Sequence, residues 1–181
     1  MTKKFKKPMT AAEAMAILQS DPEWVRKAKE RETRRKIIEA QLKAEERPIL
    51  EELAAVGCKV DFISVLVNSS TSYPEAVPVL CKHLPLPYDP KIREAIARAL
   101  TVREARGVAG GVILAELQRS PEQSPPALRW ALANALTVTA DPSLTEEIKK
   151  LLLDERFMDV HERLKLALKK SQKTVSPRAK P

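Results

Sequence analysis

The fold of this chain is decided by two copies of one thirteen-residue stretch, Pro90-Lys-Ile-Arg-Glu-Ala-Ile-Ala-Arg-Ala-Leu-Thr-Val102 and Pro126-Ala-Leu-Arg-Trp-Ala-Leu-Ala-Asn-Ala-Leu-Thr-Val138. The two copies align without gaps at an offset of 36 residues, and eight of the thirteen positions are identical. A further offset of 32 residues superimposes a third, weaker copy, in which Val160, Leu164, Ala167 and Leu168 match Leu128, Leu132, Ala135 and Leu136. Self-similarity at such a period indicates a helical repeat protein.

Each copy follows another apolar segment of helix length, at 74–84, 108–119 and 144–153. The repeating unit is therefore a helical hairpin. Upstream, the segment 48–56 ends before Gly57, a common residue at a helix C-terminus, and a short helix is expected over 61–67. We interpret these two segments as a degenerate first repeat. Only four glycines occur among 181 residues, and Ala, Leu, Val and Ile dominate the apolar set, so an all-α chain is predicted.

Helices with charged surfaces are expected before the repeats. Thr10 and Glu13 have the spacing of a capping box, which begins a short helix through about Leu18. Asp21 and Pro22 are suited to the cap and first position of the next helix, which is highly charged. The predicted organisation is a disordered basic tail, a short and then a long charged helix, a repeat array and a second disordered basic tail, at 1–9, 10–47, 48–170 and 171–181.

One repeat carries a family resemblance. Its second helix begins Asp89-Pro-Lys-Ile-Arg-Glu-Ala-Ile-Ala-Arg-Ala-Leu100, which resembles the second helix of a HEAT repeat: a capping Asp, a branched aliphatic residue, Arg, then alternating Ala and Leu. Pro78 inside a first helix resembles the same family. The third unit departs from the pattern, because Ser124-Pro125-Pro126 replaces the Asp, and the fourth has His161 in place of the Arg. The resemblance implies a short right-handed α-solenoid of about four hairpins, whose second helices line a concave surface.

Helical periodicity divides the second helices into a core side and an outer side. The expected core stripes are Ile92, Ala95, Ile96, Ala99 and Leu100, and Leu128, Ala131, Leu132, Ala135 and Leu136. The opposite side, left to solvent or a ligand, carries Glu94, Ala97, Arg98 and Thr101, then Trp130, Ala133, Asn134 and Thr137, then Glu162, Lys165 and Lys169. Trp130 is either an exposed binding anchor or ordinary packing beneath a neighbouring segment.

The charge distribution leaves two partner classes open. The formal charge is +8, but the basic residues at both ends account for it, and the segment 9–168 is close to neutral. Within the long helix lies a basic cluster composed of Arg26, Lys27, Lys29, Arg31, Arg34, Arg35 and Lys36. It is interpreted either as a surface for phosphates or an acidic partner, or as an exposed helix stabilised by salt bridges.

No catalytic or cofactor motif is recognised. Gly110-Gly111 lacks the Lys-Ser or Lys-Thr that follows a phosphate loop, and we interpret it as a loop between repeats. The spacing of Cys58, Cys81, His83 and His161 does not fit zinc, so buried cysteines and surface histidines are expected. The sequence predicts no disulfide framework, signal peptide or membrane span. A cytoplasmic location is therefore expected. A base-excising enzyme would need more aromatic residues on a basic concave face.

These observations favour a non-catalytic protein-protein interaction module, such as a scaffold, adaptor or accessory subunit, without a cofactor, metal or small-molecule substrate. The expected contacts with a protein partner are Glu94, Arg98, Trp130, Asn134 and Lys165. The alternative is a nucleic-acid-associated protein that contacts phosphates weakly and without sequence preference, through the basic tails and the 26–36 cluster.

Overall fold

The computed structural model describes residues 9–119 and 122–172, and the regular elements in these ranges are all helical. The α-helices are α1 (Ala11–Ser20), α2 (Pro22–Ala55), α3 (Ser64–Val67), α4 (Ala76–His83), α5 (Pro90–Ala99), α6 (Gly110–Arg119), α7 (Pro126–Thr139), α8 (Thr145–Leu152) and α9 (His161–Ser171). Short 3-10 helices lie at Arg103–Ala105, Pro142–Leu144 and Glu155–Val160. The all-α prediction is confirmed for the described residues. Both predicted tails fall largely outside them.

The chain divides into two units, one extending to Leu42 and the other beginning at Lys43. In the first unit, α1 begins with the predicted capping box. The Glu13 N–H donates to Thr10 Oγ1 at 3.3 Å, and the Thr10 N–H donates to the Glu13 carboxylate at 2.9 Å. Asp21 Oδ1 accepts from the Glu23 N–H at 2.9 Å, so the start of α2 is capped as the sequence indicates.

Helix α2 does not end near Pro48. The expected segments 23–46 and 48–56 are instead one helix, Pro22–Ala55, with Pro48 inside it. The missing proline N–H removes one helical hydrogen bond, and the complete burial of Ile49 and Leu53 directly afterwards offsets that loss. Gly57 closes the helix as predicted. Its φ of +87° allows the Cys58 N–H to donate to Leu53 O at 2.9 Å, the Schellman arrangement.

The second unit is built around α5 and α7. Helix α7 packs against α5, α6 and α9, while α5 also contacts α3 and α4. The predicted core stripes are buried on both helices, except that Ala95 is half-buried. Three residues expected on the outer side, Ala97, Ala133 and Thr137, are buried as well. The expectation was wrong there because neighbouring elements cover more than one side of each helix: the 3-10 helix Arg103–Ala105 also packs on α7.

Several helix ends differ from the sequence-based expectation. The helix expected over 61–67 is reduced to Ser64–Val67, and α6 begins at Gly110 rather than 108. Helix α4 contains Pro78 as expected, and Pro78 is exposed. A 3-10 turn at Pro142–Leu144 precedes α8. Such shifts of two or three residues leave the order of helices unchanged.

A buried ion-pair network joins α4, α5 and α6. Arg93 donates through Nε to Leu84 O at 3.2 Å and through Nη2 to the Glu116 carboxylate, which is almost fully buried. The other Glu116 oxygen lies 2.8 Å from Arg119 Nη2. Burying a lone carboxylate would be costly, so the two guanidinium groups are what allow Glu116 to lie inside the structure. Arg93 is the arginine of the stretch Asp89–Leu100, and here it acts in packing.

Two consecutive carboxylates attach the end of α2 to the other helices of the second unit. Glu45 accepts from the N–H of Asp89, the capping residue of α5. Glu46 accepts from the N–H of Ile63, directly before α3, at 3.3 Å. Glu46 is only 8% exposed, and this burial raises the pKa of its carboxyl group above the usual 4.5, against a smaller opposing effect of the Ile63 N–H.

The raised pKa of Glu46 predicts a pH-dependent stability. The folded state binds this proton more tightly than the unfolded state, so the contribution is complete below pH 4.5 and is lost as pH rises through the folded-state pKa. Glu46→Gln removes this loss and keeps an acceptor for the Ile63 N–H. We expect the variant to gain stability relative to the parent between pH 4 and pH 7, measured by urea unfolding.

Glu162→Gln is the control with the opposite sign. The Lys165 ammonium holds the pKa of Glu162 below its usual value, so its substitution should cost a little stability at neutral pH and nothing near pH 3. If the stability difference between Glu46→Gln and the parent is the same at every pH, burial of an ionised Glu46 carboxylate is not destabilising.

Gly110 is required by the close approach of α6 to the end of α7. A Cβ atom at Gly110 would lie 2.8 Å from Leu144 Cδ1 and 2.9 Å from the carbonyl oxygen of Thr139. At the next position, Gly111, nothing lies within 4 Å of an added Cβ. The expectation of a loop at these glycines is wrong, because they are the first two residues of α6, and only Gly110 is enforced by packing.

We predict that Gly110→Ala lowers the free energy of unfolding by about 1 to 3 kcal/mol, because a methyl group must displace backbone. Gly111→Ala is the matched control and should raise it by up to about 1 kcal/mol through helix propensity. Chemical denaturation of both variants measures the difference. Equal stability of the two variants would contradict the close packing at Gly110.

Candidate functional site

The indole of Trp130 lies at the centre of a charged cluster contributed by three helices. Trp130, on α7, is half-buried. The guanidinium carbon of Arg98, on α5, is 5.4 Å from the ring centroid, and that of Arg163, on α9, is 4.9 Å away. Both distances are within the range of cation–π attraction, which is worth roughly 0.5 to 2 kcal/mol. We call Glu94, Arg98, Trp130 and Arg163 the Trp130 cluster.

Glu94 fixes the orientation of Arg98. The Arg98 Nε and Nη2 atoms are 2.8 and 2.7 Å from Glu94 Oε1, across one turn of α5. Both side chains are partly screened from solvent, so the pair is more rigid than a fully exposed one. Arg163 forms no ion pair with any described carboxylate. The cluster therefore offers an oriented indole and one guanidinium that still has donors for a partner.

The structure brings together three of the five residues expected at the binding surface: Glu94, Arg98 and Trp130. Asn134 lies one turn farther along α7 and is half-buried. Lys165 lies apart, because it is two residues from Arg163 and so points to a different side of α9. Its ammonium is exposed and pairs with Glu162 at 2.9 Å.

Arg163 was missed by sequence reasoning. The repeat alignment places it at the position of Ala131, a core position in the preceding unit. The arginine side chain is long enough to leave the core and extend over the ring of Trp130, which a short side chain at the same position cannot do. The repeat alignment gave no signal for this contact, because it matches Arg98 with Asn134 and Trp130 with Glu94, so the three residues are not at equivalent positions.

A shallow groove between α3 and α5 adjoins the Trp130 cluster. Glu94 and Arg98 form part of its lining, so the two features share residues. Val67, which is 37% exposed, supplies an apolar edge. The remaining lining residues are Ser64, Asn68, Lys91 and Ala95. The surface around the indole thus combines an apolar strip with charges of both signs.

The basic cluster at 26–36 is exposed and only partly neutralised. Arg26 pairs with Glu30 at 2.7 Å, Lys27 with Glu23 at 2.7 Å, and Arg35 and Lys36 share Glu32. Lys29, Arg31 and Arg34 form no ion pair with another described residue. The helix is therefore stabilised by salt bridges on its surface, as one interpretation holds, and the contact with phosphates stays a prediction.

The cysteines are free and half-buried. Burial raises the pKa of both thiols, that of Cys81 to about 11, so both are protonated at neutral pH.

The expectation of a surface histidine is wrong for His83, which is 3% exposed because α4 packs it into the core. Its Nδ1 is 2.8 Å from the hydroxyl oxygen of Tyr88, and its Nε2 is 3.3 Å from Glu52 Oε1.

The described residues hold no group of three His, Cys, Asp or Glu side chains placed to bind a metal ion. Within the same ranges, none of the helices has the length and apolarity needed to cross a membrane. No protein-family model, curated protein or solved structure matches the chain.

Proposed function

We propose that this chain is a non-catalytic interaction module, acting as a scaffold, adaptor or accessory subunit, which binds a protein partner through the Trp130 cluster. The observation that carries this proposal is the half-exposed indole of Trp130, held between guanidinium groups from two other helices. Tryptophan and arginine dominate the binding energy of protein interfaces, and anchors that are already oriented lose less entropy when they bind.

The proposal includes a HEAT-like array, which the order of contacts supports. Helices α4, α6 and α8 each pack on the helix that follows them, and α7 packs on both α5 and α9. Arg98, Trp130 and Arg163 meet at one place, and Val102, Val138 and Lys170, which lie four, eight and seven residues later, flank a common depression. This arrangement fits three second helices running in the same direction. Parallel second helices are what stacked hairpins produce.

Binding without catalysis fits the chemistry of the cluster. Its members offer hydrogen bonding, ion pairing and apolar contact, and none of them is a nucleophile with a neighbouring base. Two protonated, half-buried thiols fit a reducing compartment, so we place this module in the cytoplasm.

Trp130→Ala tests the proposal. Truncation of a true anchor should weaken the complex by about 2 kcal/mol or more, which is roughly a 30-fold rise in Kd. The partner is first recovered by affinity purification from the native host after nuclease treatment and identified by mass spectrometry. Its affinity for the parent chain and the variant is then measured by isothermal titration calorimetry.

Trp24→Ala is the matched control, because Trp24 is also half-buried but lies on α2 in the first unit. It should leave the affinity unchanged. If Trp130→Ala stays folded by circular dichroism and binds the partner as the parent does, the indole is not an anchor.

A second candidate, nucleic-acid association, is favoured by Lys29, Arg31 and Arg34, which form no ion pair with another described residue. It predicts that affinity for a DNA duplex falls with salt, with a log-log slope near −0.9 for each phosphate contacted. Replacing all three residues by Gln should then reduce that slope by about 3 if each contacts one phosphate. Lys149→Gln and Lys150→Gln on α8 are the controls. If the change in salt slope comes from α2, these two substitutions should leave the slope as it is in the parent. A slope that all variants share would contradict this candidate.

A further inference from the structure

A second basic surface lies on the same helices, beyond the Trp130 cluster. It is a groove over the C-terminal half of α7, and we call it the α7 groove. It is lined by Thr101, Val102, Arg103, Glu104, Arg106, Thr137, Val138 and Lys170. Val102 and Val138 are half-buried there, so the groove has apolar walls with basic residues around them. The function proposed above does not account for these residues.

The charged residues that line the groove are mainly basic. Arg103 and Lys170 are exposed and have no described carboxylate within ion-pair distance. Arg106 donates through Nη2 to the Lys170 carbonyl oxygen at 3.3 Å, which joins the loop after α5 to the end of α9. Glu104 is the one acidic residue among the described residues of the lining; the hydrogen bond from the Ser72 hydroxyl and, to a smaller extent, the charge of Arg103 hold the pKa of its carboxyl group below the usual value. An anionic ligand would therefore be attracted to the groove.

Several other basic residues of the second unit are paired, although Lys43, Lys59, Lys91 and Lys169 also have no described carboxylate within ion-pair distance. Arg93, Arg129 and Arg156 each pair with a carboxylate, and so do Lys149 and Lys150. The guanidinium of Arg163 and the side chains of Arg103 and Lys170 lack such a partner among the described residues. Cations without an ion pair to a described carboxylate thus occur on one side of the α7 region, at the Trp130 cluster and again at the groove.

The separation of the two features defines the length of a ligand. Arg163 and Lys170 are seven residues apart on α9, and Trp130 and Thr137 are seven apart on α7, so both pairs lie on one side of their helix. Seven residues of helix span about 10 Å. A polyproline II chain rises about 3.1 Å per residue with three residues per turn, so residues three apart project to the same side, about 9 Å from each other.

We propose that an extended acidic segment of the partner protein binds along this surface, with one carboxylate at Arg163 and a second, three residues away, at Arg103 and Lys170. A short apolar side chain between the two carboxylates would contact Val102 and Val138. This inference rests on the proposed function, since it names the chemistry of the partner that the Trp130 cluster binds. Charge complementarity and spacing together select such a segment.

A nucleic acid fits this surface less well. Single-stranded nucleic acids bind through successive aromatic rings on which bases stack, and Trp130 is the one aromatic side chain among the described residues named at the two features. Glu94 and Glu104 also lie at the two features. These negative charges oppose any anionic ligand, and a backbone with a phosphate at every nucleotide meets that repulsion at more points than a segment with two separate carboxylates does.

The test uses the full chain and a dye-labelled peptide of repeating Glu-Pro-Pro, which places a carboxylate at every third residue of a polyproline II helix. Fluorescence anisotropy at low salt should show saturable binding, and a Gln-Pro-Pro peptide of the same length should not bind. We expect Kd to rise at least tenfold for Arg163→Gln and for the double variant Arg103→Gln with Lys170→Gln. Arg163→Lys should also weaken binding, because an ammonium lacks the planar fork.

The control is the double variant Lys149→Gln with Lys150→Gln, which removes the same charge from α8. An equal loss of affinity in that control would show non-specific attraction and overturn the inference, as would absence of binding or tighter binding of an oligothymidine at the same residues. If the recovered partner requires Trp130 but ignores Arg103, Arg163 and Lys170, the proposed function stands and this inference fails.

Discussion

Close packing around α7 is the constraint on which the rest of the second unit depends. Ala131, Ala133 and Ala135 are buried, and helices α5, α6 and α9 all contact α7. Small side chains allow the neighbouring helices to approach, and a tightly packed interior does not tolerate added volume. Gly110 shows the same constraint where α6 begins, since a Cβ there would meet the Thr139 carbonyl oxygen.

This packing also determines what the surface offers. Because α5 and α9 are both held against α7, the long side chains of Arg98 and Arg163 come within reach of one indole. The buried Glu116 carboxylate fixes Arg93 and with it the relation between α5 and α6. The candidate site is thus assembled by side chains from separate helices whose positions the core has already set, which reduces the entropy that binding must oppose.

The acidic residues of α2 have unequal roles. Glu30 and Glu32 pair with neighbouring basic residues on an exposed helix surface. Glu45 and Glu46 instead accept backbone N–H groups next to α5 and α3. A composition-based reading treats all of these residues alike, as a solvated charged helix. Their difference follows from the environment, because a carboxylate near unpaired backbone donors serves as a cap for another helix.

The sequence by itself determined the all-α class, the order of the helices, the capping box at Thr10 and the closure of α2 at Gly57. These features depend on hydrogen bonds between residues a few positions apart and on helical periodicity, which a sequence displays directly. It also predicted Trp130, Arg98 and Glu94 as neighbours on one surface.

Only the tertiary structure decided that α2 continues through Pro48 and that Arg163 contacts the indole. It also decided which residues expected at the surface are buried, namely Ala97, Ala133, Thr137 and His83. Each of these outcomes depends on segments distant in sequence, which set the burial of a side chain and the position of its neighbours.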